Sequence, residues 1–222
     1  MADYEAQTRE AWQRANTFPT NKEDVYPEHT VVQEFDSFKD KFILEYGCGG
    51  GSDAISFLKR GNRVVATDIV AANVAVTKRN IALHNLSRFA TVLHLEHSYP
   101  LPFESEMFDV VSSHGVIHHI VDGPEVIKEF ARVLRHSGLC YIMLYTEYMY
   151  EHFKDTIDQL VAQRGITKEE AFCWCSDGEG TPYAIPYTEE SGTTMLEAAG
   201  LKVLQAPLWL NEQFRTFKAI KL

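Results

Sequence analysis

Apolar positions recur along the chain in two alternating rhythms. Phe42-Ile43-Leu44-Glu45-Tyr46 is a short apolar run that meets a glycine cluster at 47–51, the pattern of a buried strand entering a tight turn. Residues 53–60 then set Ala54, Ile55, Phe57 and Leu58 on one helical stripe. Gly61-Asn62 stops that helix, and Arg63 to Thr67 gives the next strand. Residues 71–84 suit a helix, Ala90 to Leu95 and Phe108 to Ser113 are strand-like, and Glu125 to Leu134 has helical spacing. His136-Ser137-Gly138 reads as a stop before the apolar strand at 139–144. Strands separated by single helices argue for right-handed crossovers and a doubly wound, mostly parallel α/β sheet. Leu201 to Ala206 and Phe217 to Leu222 make seven strands. Their link is too short for a crossover helix, so the last strand is expected to run antiparallel.

Two segments fall outside the alternation. Residues 1–36 hold a short helix and the aromatics Trp12, Phe18 and Tyr26; residues 146–187 form an excursion with a helix expected at 150–163. That excursion ends in Asp177-Gly178-Glu179-Gly180-Thr181-Pro182-Tyr183, which is turn chemistry. Long excursions in α/β proteins are usually lids or binding loops. The expected organisation is a single domain over 1–222: an N-terminal cover (1–36), a core (37–145), a second cover (146–187) and a C-terminal helix and strand hairpin (188–222).

Composition narrows the field of partners. The 222 residues are 45% hydrophobic and 23% charged, ordinary for a chain that buries a core unaided. A net charge of −10 argues against nucleic acid and anionic lipid surfaces as partners. The start MADYEAQTRE is too polar and acidic for a secretory signal, and no apolar run approaches the roughly 18 residues of a membrane span. Cys48, Cys140, Cys173 and Cys175 form no disulfide framework, and a single C-x-C does not by itself imply a metal site. A reduced, cytoplasmic, metal-free protein is expected.

The richest chemistry lies in Glu45-Tyr46-Gly47-Cys48-Gly49-Gly50-Gly51. Glycines let the backbone turn sharply after a strand and let a ligand approach, and the following helix aims free N–H groups at it. Asp68 ends the next strand, where an acid is placed to accept both hydroxyls of a ribose. A dinucleotide fingerprint needs a small third residue where Ser52 stands, and an acid beside the turn would oppose a pyrophosphate. A ligand carrying an ammonium and a sulfonium tolerates that acid.

Five stretches, ILEYGCGGG (43–51), VVATDIV (64–70), LPFESEMFDVV (101–111), SHGVIHHI (113–120) and RVLRHSGLCYIMLY (132–145), resemble the class I S-adenosylmethionine-dependent methyltransferases. The resemblance spans roughly residues 40–145 and implies a Rossmann-like fold and S-adenosylmethionine as cofactor, with S-adenosylhomocysteine as product. It implies that Gly47, Gly49 and Gly51, with Cys48 among them, pack against the amino-acid part of the cofactor. Glu45 falls on the acid that meets the methionyl amine, Asp68 on the ribose acid, and Ile69 beside the adenine. Ser113 and His114 inherit the strand end beside the transferred methyl. The chain departs from the family where an Asp often contacts the adenine amine; here stand His97 and Ser98. It also lacks the Asn/Asp-Pro-Pro-aromatic motif of nucleic-acid aminomethylases.

An oxygen nucleophile is poor until its proton leaves, and histidine is the usual base. His118 and His119 are the leading candidates, in line with the resemblance, with His114 next. His94, in a predicted buried strand, reads as a satisfied core residue, and His29, His84, His136 and His152 as surface or turn positions. Tyr145 and Tyr183 are candidate acceptor contacts, with Tyr148, Tyr150, Trp174 and Tyr187 as further aromatics of the cover. Arg215 reads either as a carboxylate clamp or as a surface partner of Glu212. The expected function is methyl transfer to a small molecule, with oxygen the expected acceptor atom. N- or C-methylation and a non-catalytic cofactor-binding module are the alternatives.

Overall fold

The computed structural model describes residues 4–14 and 26–222, so the predicted aromatic Phe18 lies outside the described residues. Five parallel strands form one side of the sheet: β1 (Phe42–Tyr46), β2 (Arg63–Asp68), β3 (Ala90–His94), β4 (Phe108–His114) and β5 (Leu134–Tyr145). β6 (Leu201–Gln205), β7 (Leu208–Trp209) and β8 (Phe214–Lys221) complete it in the order β3-β2-β1-β4-β5-β8-β6, with β7 on β8. β8 runs antiparallel to both β5 and β6, as expected for a short connection. The strand order reverses between β1 and β4, which sets a crevice at their carboxyl ends.

Strand alternation sends successive side chains to opposite layers. Ile43, Val64, Ala66, Val110 and Tyr141 meet α3 (Ser52–Lys59) and α4 (Ala71–Leu83), through Ala54, Phe57, Leu58 and Ile81. Leu44, Val65, Val111, Ile142 and Phe217 meet α5 (Gly123–Val133) and α8 (Glu189–Ala198), through Val126, Ile127, Phe130 and Leu196. A third cluster sits past the end of β5, where Met143 and Tyr145 pack on α6 (Glu147–Arg164) and α7 (Lys168–Asp177). The N-terminal segment contributes α1 (Tyr4–Arg14) and α2 (Pro27–Val32).

Four features depart from the sequence reading. The predicted stop at 136–138 lies inside β5: the pairing jumps from Phe108↔Leu134 to Val110↔Leu139, and the exposed residues between them bulge out, with Ser137 at φ +61°. The sheet has eight strands, because Leu208-Trp209 pairs with β8 and β8 begins at Phe214, opposite Tyr145. The cover has a second helix, α7, whose start was readable: Thr167 accepts the N–H of Glu170, and Glu169 and Glu170 fill the first turn. His94 is exposed at the end of the edge strand β3, its Nε2 3.0 Å from the carbonyl of Ile69, so it is no core residue. Among the described residues no helix is long and apolar enough to cross a membrane.

Candidate active site

The crevice at the ends of β1, β2 and β4 holds a cleft of about 790 Å³, part of it open to solvent. Tyr46, Gly47, Cys48, Gly49, Gly50 and Ser52 line it from the glycine turn, and Asp68, Ile69, Val70 and Asn73 from the end of β2 and the start of α4. Leu95 and Ser98 follow β3; His114, Gly115, Val116, His119 and Ile120 follow β4; Thr8 and Trp12 come from α1.

The turn is fastened on all sides. The N–H groups of Gly47 and Cys48 both donate to the carbonyl of Thr67, at 2.8 and 2.9 Å, and that of Gly51 donates to Cys48. Thr77 and Asn80, on α4, donate to the carbonyls of Gly49 and Gly50 at 2.8 and 2.9 Å. Most of these N–H groups are therefore consumed inside the protein, and the turn offers a ligand a bare, side-chain-free surface. Gly47 has φ +77°, and a Cβ there would come within 2.3 Å of Val116 Cγ2. At Gly51 (φ +81°) a Cβ would come within 2.8 Å of Thr77, and this glycine lies behind the cleft wall. Both are required by close packing and left-handed backbone.

Asp68 gathers the polar end of the cleft. Its Oδ2 accepts the N–H of Gly49 at 2.9 Å and the Asn73 amide at 3.3 Å, while Oδ1 accepts the N–H of Val70 at 2.8 Å. Burial raises its pKa and these donors oppose the rise. Cys48, beside it, is a buried thiol held well above its usual pKa by burial and by the charges of Glu45 and Asp68. Glu45 is buried next to Ala66 and Ser112 and does not line the cleft. Ile69 and Ser98 do line it, whereas His97 turns outward and pairs with Glu5 at 3.2 Å. His97 is thus no part of the cleft, since its ring is drawn to a carboxylate of α1. Ser98 is reached mainly through backbone: its N–H meets Glu5 and its carbonyl accepts the Tyr46 hydroxyl at 3.0 Å. Neither Tyr46 nor Asn73 was singled out from sequence, though both flank the motif that was.

The histidines separate sharply. His118 is fully buried and off the cleft: its ring stacks on Tyr145 at 3.7 Å, and its Nδ1 accepts the Tyr145 N–H at 3.3 Å. Burial, with neighbouring imidazoles, holds its pKa well below the usual value, so it is a neutral packing residue. His119 lines the cleft, but its Nδ1 donates to the carbonyl of Tyr183 at 2.9 Å and its Nε2 lies 3.8 Å from Asp177. His114 lines the cleft at the end of β4, with Nδ1 3.4 Å from Asp53 Oδ2. The other oxygen of Asp53 lies 3.1 Å from Nε2 of His29, and the His29 and His114 rings stack at 3.9 Å. His29 is therefore a fully buried partner of the site, opposite to its expected surface position. It was missed because its partners are 24 and 85 residues away in the chain.

The expected acceptor contacts stand apart from the cleft lining. So does Ser113, expected on the cofactor side beside the transferred methyl: it is buried and does not line the cleft. Tyr145 is buried and donates its hydroxyl to Asp177 at 2.8 Å, and Tyr183 is half-buried against Tyr4. Arg215 is buried, its Nη1 2.6 Å from Glu189 and 3.1 Å from the carbonyl of Ala206, with Glu147 3.7 Å away. It is neither a partner of Glu212 nor directed at the cleft, because β8 starts early enough to carry it under α8.

Residues 44–142 match a family model described as "Methyltransferase domain". The ubiquinone biosynthesis O-methyltransferase of Bartonella tribocorum is 32% identical over 111 residues, which is 50% of this chain and 42% of that one. The chain spans about half the length of the curated relatives it matches. The fold is shared with 1,6-didemethyltoxoflavin-N1-methyltransferase of Burkholderia thailandensis, solved with 1,6-didemethyltoxoflavin and S-adenosylhomocysteine bound. There the TM-score is 0.69 at 16% identity over 99% of this chain and 89% of that one. A SAM-dependent methyltransferase from Aquifex aeolicus gives 0.67 at 15% identity over 96% and 98%.

Proposed function

We propose that the chain is a class I S-adenosylmethionine-dependent methyltransferase, in keeping with the methyltransferase-domain match over residues 44–142, and that it methylates an oxygen of a small-molecule acceptor, with His114 as the base. The observation that carries the reading is the Asp53–His114 pair at the cleft wall, where β4 ends. The cleft's chemistry fits the cofactor: a carboxylate with an amide beside it, a bare glycine turn, and the apolar side chains of Ile69, Leu95 and Ile120. Asp68 and Asn73 would hold the ribose, the apolar trio the adenine, and the face of the turn at Gly47 and Gly49 the amino-acid end. When bound, S-adenosylmethionine supplies an electrophilic methyl on a sulfonium.

The remaining work falls to the chain. Methyl transfer is an in-line displacement, so acceptor and methyl must be aligned and water kept out. Trp12, Val116 and Ile120 provide an apolar surround for that end of the cleft. His114 takes the acceptor's hydroxyl proton, and Asp53 holds the imidazole and stabilises its charged form, as an orienting carboxylate does in other base pairs. Residues 4–14 and 26–36, with the segment 146–187, act as covers over the acceptor side.

The test incubates the chain with methyl-labelled S-adenosylmethionine and a cell extract, then separates small molecules from macromolecules. Label among the small molecules supports the reading; label confined to protein or nucleic acid overturns the acceptor class. With the acceptor identified, a His114→Ala variant that keeps most of the rate would move the assignment to N- or C-methylation. Tight cofactor binding with no transfer at all would favour a binding module.

A further inference from the structure

We propose that the chain binds a zinc-class divalent cation through His119, Cys173 and Asp177, at the seam between the cover helix α7 and the turn that follows β4. Cys173 and Asp177 stand one helical turn apart on α7, and the turn Ile117–His119 brings His119 to them. One donor atom from each lies within 4.8 Å of the other two. Sγ of Cys173 is 3.6 Å from Nδ1 of His119 and 3.9 Å from Oδ2 of Asp177, and Nε2 of His119 is 3.8 Å from that same oxygen. Tetrahedral zinc with ordinary bond lengths spaces its ligand atoms by roughly 3.3–3.7 Å, so the Asp177 oxygen already stands near that spacing, and Sγ of Cys173, which faces Nδ1, must shift toward Nε2 to close the site.

The surroundings prepare each donor. The Nδ1–H of His119 donates to the carbonyl of Tyr183, which fixes the tautomer and leaves the lone pair on Nε2. That Nε2 is buried and has no hydrogen-bond partner among the described residues. Asp177 is held by the hydroxyls of Tyr145 at 2.8 Å and Ser176 at 2.5 Å. Burial and Asp177 push the Cys173 thiol up to about 12, while the Thr181 hydroxyl and the Tyr183 N–H favour its thiolate. A dication replaces the thiol proton, which leaves to solvent, and is balanced by one thiolate and one carboxylate. Sulfur with imidazole selects zinc over magnesium or calcium. Three protein ligands leave a fourth position for water.

The other trio of such residues, His29, Asp53 and His114, is a poorer site. Its two imidazoles are stacked with 20° between their planes, so a cation cannot lie in both.

The test uses the whole chain, stripped with a chelator, then dialysed against zinc and assayed for metal, with cobalt(II) as a spectroscopic probe. One zinc per chain is expected, and bound cobalt should show a thiolate charge-transfer band. Cys173→Ser should abolish the band and Asp177→Asn should reduce retained zinc, while Cys175→Ser should change neither. Failure to retain zinc, cobalt bound without the thiolate band, or a Cys173→Ser variant that binds like the parent would each overturn the site. Should circular dichroism show that Cys173→Ser does not fold, Asp177→Asn decides: undiminished zinc and an unchanged band reject the proposal. None of these readouts requires methyl transfer, so the metal site and the proposed activity fail separately.

Discussion

His29 and Asp53 meet at 3.1 Å with both side chains buried, and this contact fastens the N-terminal cover to the helix that follows the glycine turn. Phe35 packs edge-on to the His29 ring and Trp209 stacks on it, so three distant parts of the chain converge there. His29→Ala removes a buried hydrogen-bond partner and opens a void beside His114. A stability loss of about 2–4 kcal/mol is expected, read as a lower urea midpoint at constant slope.

Asp53→Asn keeps the shape of the side chain but removes its charge. If Asp53 orients a base, kcat should fall at least about tenfold, roughly 1.4 kcal/mol in the barrier, with cofactor affinity nearly unchanged. Equal losses in cofactor affinity and rate would argue that the site had simply become disordered. Isothermal titration beside initial rates separates the two.

Asp68→Asn should instead weaken S-adenosylmethionine about 10- to 100-fold, some 1.4–2.7 kcal/mol. The same contact predicts a pH dependence. Burial raises the Asp68 pKa, so on acidification the carboxylate takes up its proton earlier than an ordinary aspartate. Cofactor affinity is expected to be full above that raised value and to fall below it, by about tenfold per pH unit. Titration of affinity against pH, repeated in Asp68→Asn, should show the slope vanish in the variant.

Gly47→Ala meets two obstacles, a φ of +77° and Val116 only 2.3 Å from the new Cβ. The backbone penalty alone is about 1–2 kcal/mol. Adding Val116→Ala removes the two Cγ clashes but keeps Val116 Cβ at 3.1 Å, so it should recover most of the steric part and leave the backbone part, and the double variant is expected to melt between Gly47→Ala and the parent. Thermal unfolding of the three proteins measures both.

The Glu129–Arg132 pair clasps the segment between β3 and β4: Glu129 accepts the N–H of Leu101, and Arg132 donates to the carbonyls of Leu101 and Phe103. The hydrogen bond from Arg132 lowers the Glu129 pKa. Its stabilisation is therefore present above the unfolded-state pKa and is lost as pH falls through the lowered folded value. Solvent screening keeps the effect below ~1 kcal/mol. Glu129→Gln should flatten the acid limb of the stability profile.

Much of the cleft wall proposed to hold the cofactor was legible because its parts are contiguous. The strand, the glycine turn and the acid that ends the next strand follow one another over Glu45 to Asp68, and local pattern alone brings them together. The histidines were not legible in the same way. His118 and His119 are adjacent in sequence, yet one stacks on Tyr145 behind the wall and the other lines the cleft. Their fates are set by the 3-10 turn at Ile117–His119, which no periodicity announces. Arg215 was misread because its placement depends on where β8 begins, and that is decided by pairing with β5, where Phe214 meets Tyr145 across 69 residues. The same holds for His29, whose carboxylate partner lies on another element.

β8 follows both β5 and β6 in sequence, yet it lies between them in the sheet. As the polypeptide emerges during synthesis, the β1–β5 platform can assemble before β8 is made, leaving the outer edge of β5 unpaired until it arrives. A nascent chain stalled before Phe214 would present two unprotected strand edges, along β5 and β6. Insertion of this one later segment covers both facing edges at once, so prompt synthesis of β8 guards this part of the sheet against self-association.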